Sequence, residues 1–97
     1  MPVSTTTVGA SDARKYMLQL CKHWSHKLDV AYDDATGSIV FDDARRCDLA
    51  VDGETLTLKV EAADEEALER TQNTVVNHLK RFAFREDFGD IAWSRLS

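Results

Sequence analysis

The stretch Cys47–Ala62, "CDLAVDGETLTLKVEA", decides the fold. Cys47, Leu49 and Val51 alternate with Asp48 and Ala50; Leu56, Leu58 and Val60 alternate with Thr55, Thr57 and Lys59. A strict period of two puts one set of side chains on each face of a strand. Between the two runs stands Asp52-Gly53, a favoured two-residue hairpin loop, because a type I′ turn needs positive φ at both central positions. Pairing across that loop sets Leu49 against Leu56 and Cys47 against Leu58. The result is an antiparallel hairpin with one apolar and one wet face, and that apolar face has to be covered.

The flanking sequence supplies the cover. Upstream, Ala13, Met17, Leu20, Trp24 and Leu28 recur at steps of three and four, which predicts a helix with one buried stripe. Ser11 or Asp12 can cap its start by accepting an otherwise orphaned backbone N–H. Downstream, Asp64 caps a second helix with Glu65 and Glu66 in its first turn, and Leu68, Val75, Leu79 and Phe82 form its stripe. Residues 3–8, "VSTTTV", are β-branched and read as a strand. "VAYDDATGSIVF" reads as two more, Val30–Asp33 and Ser38–Asp42, around a glycine-bearing turn. The tail, with Ile91 and Trp93, reads equally as a short edge strand or a packed tail. The predicted order is β-α-β-β-β-β-α over a single domain, residues 1–97. Its simplest solution is an α+β two-layer sandwich, an antiparallel sheet with both helices on one face, of the helix-grip or TATA-binding-protein-like type.

Composition narrows the function classes. The chain of 97 residues is 43% hydrophobic and 30% charged, ordinary for a globular domain. Its net charge is −5 and its pI is about 5.0, the wrong balance for the phosphate backbone of nucleic acid. No apolar run reaches the roughly 18 residues of a membrane span, and the N-terminus lacks a basic segment followed by an apolar one. Cys21 and Cys47 form no Cys-x-x-Cys pair and read as reduced thiols of a cytoplasmic protein.

The most suggestive local text is "LCKHWSHKL", Leu20–Leu28. At about 100° per residue, Cys21 and His23 point to nearly opposite sides, so a Cys-His-His metal site is excluded while the helix is intact. Cys21 reads as a packed thiol at the stripe's edge and Trp24 as core. His23 and His26 share a polar flank with Gln19, whereas zinc wants three or four ligands. On the second helix His78, Arg81 and Arg85 share a flank suited to a carboxylate or phosphate. If the helices lie level, His23 and His78 stand on the order of 11 Å apart along the axes and another 8–10 Å across, which disfavours a three-histidine site. Dipole complementation at helix C-termini is the bland account of all these cations. No Gly-x-Ser-x-Gly, P-loop, dinucleotide or calcium-loop pattern occurs.

"LCKHWSHKLDVAYDDATGSIVF", the hairpin block extended to Leu68, and "HLKRFAFRE" together resemble a family of small bacterial domains of unknown function, family 2218, over about Val8 to Trp93. The resemblance implies a stand-alone cytoplasmic bacterial protein. Some relatives are joined to, or akin in context to, siderophore-interacting flavoproteins; others carry an aldolase label that no residue pattern here supports. The family offers no catalytic residues to carry over. Its turn before the strand at Cys47 usually carries glycine, where this chain has Asp42-Asp43-Ala44-Arg45-Arg46.

Three functions follow as expectations. The first is a non-catalytic module that binds a small anionic ligand or a protein partner through Gln19, His23, His26, His78, Arg81 and Arg85, with no metal or cofactor, in iron–siderophore metabolism. The second is a metal-assisted lyase or hydrolase using His23 and His26. The third is a homo-oligomerising interaction domain whose edge strand, Val3–Val8 or Ile91–Trp93, pairs with another chain; the expected state is a monomer or homodimer.

Overall fold

The computed structural model of the chain describes residues 1–89 and 91–97. Its elements are β1 (Val3–Gly9), α1 (Ala13–Ser25), β2 (Asp29–Tyr32), β3 (Thr36–Asp42), β4 (Arg45–Asp52), β5 (Thr55–Ala62), α2 (Glu65–Phe82) and a two-residue β6 (Ser94–Arg95). The strands form one antiparallel sheet in the order β2-β3-β4-β5-β1-β6. This is the α+β arrangement that the alternation predicts. β6 settles the tail: it pairs with Ser4 and Thr5 of β1, while Ile91 and Trp93 are half-buried against the core.

One face of the sheet carries the core. Ile39, Cys47, Leu49, Leu56, Leu58 and Val60 lie under Met17, Leu20, Cys21 and Trp24 of α1 and Leu68, Val75 and Leu79 of α2. Both predicted stripes are therefore buried, with Leu28 and Phe82 only half-buried at their ends. Periodicity missed three buried polar residues. Thr71 donates to Ala67 O, Gln72 donates to Ser4 Oγ across the layers, and Thr6 donates to Ala92 O, so each hydroxyl has a partner.

Three local expectations are corrected. The central hairpin turns one residue later than Asp52-Gly53 implies. Asp52 pairs with Thr55, so Leu49 faces Leu58 and Cys47 faces Val60. Gly53 (φ 61°) is then the first central residue, and among the described residues no non-glycine has positive φ. That is the requirement of a type II′ turn, which spares Asp52 the strain of positive φ. The shift preserves parity, so every side chain keeps its face.

Gly37 is not a turn residue. The β2–β3 turn spans Asp33 to Thr36, and Asp33 Oδ1 accepts the backbone N–H groups of Ala35 (2.9 Å) and Thr36 (2.8 Å). These bonds hold the Asp33 carboxyl below its ordinary range. Gly37 lies within β3, where a Cβ would sit 2.7 Å from Cys21 Sγ. Glycine is there to let α1 approach the sheet.

Finally, neither Ser11 nor Asp12 caps α1. Asp12 makes no side-chain cap bond (φ −113°, ψ 44°), and Ser11 Oγ donates instead to Glu86 Oε1 (3.1 Å). The expected cap of α2 is present, with Asp64 Oδ1 accepting from Ala67 N (2.8 Å). The β3–β4 turn is built without glycine. Asp42 Oδ1 accepts Ala44 N (2.8 Å), and the ladder slips between Val40 and Asp42.

Candidate functional site

The site is built where α1 ends. Helical phase turns Cys21 and Trp24 inward and leaves His23 on the flank that faces α2. There His23 meets His78, with ring centroids 5.2 Å apart. The separation of about 14 Å expected from level helices is too large, and the reason is axial stagger. Tyr16 Oη reaches Glu86 Oε1 at 3.5 Å while His23 lies opposite His78. The helices thus run antiparallel, with the middle of α1 level with the last turn of α2. That offset is about nine residues, on the order of 13 Å. Helix lengths and phases are written in the sequence; their relative slide is set by the sheet beneath.

The rings form a continuous aromatic group. Trp24 lies 5.2 Å from Phe41 and 4.7 Å from His78, and His23 lies 5.5 Å from Phe82. Trp24 is buried, His78 half-buried and His23 exposed, so the group rises from the core to the surface. Nδ1 of His78 donates to Thr74 O (2.8 Å) in the neutral ring, which leaves Nε2 as the atom free to meet a ligand.

The electrostatics are one-sided. Residues 13–28 contain Arg14, Lys15, Lys22, Lys27, His23 and His26 but no Asp or Glu; residues 70–85 contain Arg70, Lys80, Arg81, Arg85 and His78, again with no acid. Eight of the 12 lysines and arginines and all three histidines therefore sit on the helical layer of an acidic protein. Among the described residues only Arg70 of this set is in an ion pair, with Glu66 at 2.6 Å. His23 registers the resulting field. Its pKa is pushed below the ordinary 6.5, first by desolvation against its neighbours and then by His78, Arg81, Lys27 and His26.

Of the six residues singled out from the sequence, His23 and His78 thus meet at the α1–α2 seam, and Arg81 and His26 act on His23 through their charge. Gln19 lines a different groove, between α1 and the β4–β5 hairpin. Arg85 turns its guanidinium over the Phe84 ring (5.6 Å) and acts on Tyr16. The sequence reading missed Trp24 and Phe82 as walls of the site; the pairing of aromatic and cationic residues in "HWSH" and "HLKRF" was the signal for it.

The thiols take no part. Cys21 is fully buried and pushed up to about 11 by desolvation, and burial raises Cys47 further. Among the described residues no three His, Cys, Asp or Glu side chains gather as a metal site would require, and no helix is long and apolar enough to cross a membrane.

No functionally curated protein matches the chain. Among solved structures it is similar to the NMR structure of PA4090 from Pseudomonas aeruginosa, at 35% identity and a TM-score of 0.81, with 97% of this chain and 96% of that one covered. The family model described as an uncharacterised protein conserved in bacteria (DUF2218) matches residues 5–94. With nearly the whole fold inside that match, the chain belongs to the DUF2218 family of uncharacterised bacterial proteins.

Proposed function

We propose that the protein is a non-catalytic binding module that recognises a small anion across the α1–α2 seam. The observation that supports this reading is the meeting of His23 and His78 beside Arg81, between two stretches of chain, residues 13–28 and 70–85, that contain no Asp or Glu. A carboxylate or phosphate placed between the rings accepts from both imidazoles once they are protonated and from the Arg81 guanidinium. It also relieves the charge repulsion that, after desolvation, holds the His23 pKa down. Half-buried Phe82 gives the same ligand an aromatic wall, and Trp24 backs the His78 ring from the core. Iron–siderophore metabolism, the setting implied by the family resemblance, supplies one class of anionic ligands to try. Metal-assisted chemistry is the weaker reading, because the closest imidazoles come as a pair with no third ligand gathered among the described residues.

The test is a titration of phosphate, citrate and ferric siderophores into labelled protein, followed by imidazole and amide NMR. At least one anion should give saturable shifts at His23, His78 and Arg81. The His23 pKa should rise in its presence, and affinity should increase as pH falls from 7.5 to 5.5. Silence at all three residues across the panel sinks the proposal.

A further inference from the structure

The groove on the other flank of α1 carries a second inference. It encloses about 570 Å³ between α1 and the β4–β5 hairpin, within the size range of small-molecule sites. Leu18 and Val51 form its floor. Both are large aliphatic side chains that the core leaves half-buried. Arg14, Lys15 and Lys22, all exposed, stand along its rim. Among the described residues none of the three is in an ion pair, and Asp12 is the single carboxylate of the wall. Gln19 lines the same groove and holds its Oε1 away from water without a hydrogen-bond partner.

An apolar floor under a cationic rim selects for two properties together. A bare anion leaves Leu18 and Val51 wet, and an uncharged apolar molecule leaves the lysines unused. From this juxtaposition we infer that the groove is a second, separate binding site for a small amphipathic anion, a monocarboxylate with a short hydrocarbon body. The carboxylate lies between Lys15 and Lys22, about two turns apart on the exposed side of α1, and the hydrocarbon lies over Leu18 and Val51. The site shares no residue with the histidine seam, so the two readings stand or fall separately.

The probes are acetate, butyrate, hexanoate and octanoate, below their micelle concentrations, titrated at constant ionic strength against the full chain. Octanoate should shift the amides of Leu18, Lys22 and Val51 saturably and leave His23 and His78 unmoved. Affinity should grow about twofold per added methylene, half the value for complete burial. Lys15→Gln and Lys22→Gln should each weaken octanoate binding about two- to fivefold, the range for exposed charges. Leu18→Gln, checked for folding by circular dichroism, should remove the chain-length dependence. The proposal is overturned if octanoate leaves these amides unmoved, if acetate binds there as well as octanoate, or if only phosphatidylglycerol vesicles move them. The last outcome would assign the groove to a membrane surface.

Discussion

Cys21 and His23 are two residues apart, and their surroundings differ in nearly every respect. Cys21 Sγ is fully buried and packed against Gly37, so close that a Cβ there would force one of the two to shift. His23 is exposed, ringed by His78, Phe82 and Trp24 and surrounded by positive charge. About 200° of helical phase accounts for the contrast. The Cys21 side of α1 is held by shape, so a change of volume is felt as stability. The His23 side is held loosely, so a change of charge is felt there as titration and binding. One helix turn can thus divide structural and recognition duties by phase alone.

The largest effect should come from breaking the tight side. Gly37→Ala places a methyl 2.7 Å from Cys21 Sγ and should cost about 1–3 kcal/mol in chemical denaturation, with an unchanged fold. Cys21→Ala in the same chain removes the obstructing sulfur. The double variant should be more stable than the sum of the single losses implies, a coupling that a double-mutant cycle reads directly. Strict additivity would mean that the contact between α1 and β3 is not tight.

A smaller effect is expected on the open side. The His23 pKa is lowered in the folded protein, so below pH 6.5 the unfolded chain binds protons that the folded one resists. This linkage costs stability as pH falls from the unfolded value through the folded one, and the loss is complete below the latter. His23→Gln should leave stability at pH 7.5 nearly unchanged and flatten its decline between pH 7 and 5, in denaturation curves at several pH values. An identical slope in the variant would mean that His23 does not carry the acid sensitivity of the seam.

Much of this was legible in the sequence. The period-two runs around Gly53 and the stripes through Leu20 and Val75 dictate the strands, the helices and the face on which they meet. Helical phase alone separated Cys21 from His23. What stayed hidden depends on contacts between distant segments. Gly37 looks like a turn residue until Cys21 is placed above it. Ser11 looks like a cap until Glu86 arrives from the end of α2. His23 and His78 look remote until the slide between the helices is known. The turn at Gly53 shows a finer limit, since Asp-Gly and Gly-Glu loops differ by one residue and backbone strain chooses between them.

The strand order has a consequence for how the chain assembles. β2, β3, β4 and β5 form a meander of neighbours, and the β4–β5 turn closes a loop of only two residues, Gly53 and Glu54. β1 pairs with β5 only after Gly9 and Thr55 are brought together across everything between them. Each doubling of a closed loop costs about 0.6 kcal/mol more in chain entropy. The meander is thus the inexpensive part of the topology, and β1 is the strand added to it. Native-state hydrogen exchange should show the order in reverse, with the amides of β1 released by smaller openings than those of β4 and β5. Equal protection across β1 and β4 would mean that the sheet opens as one unit.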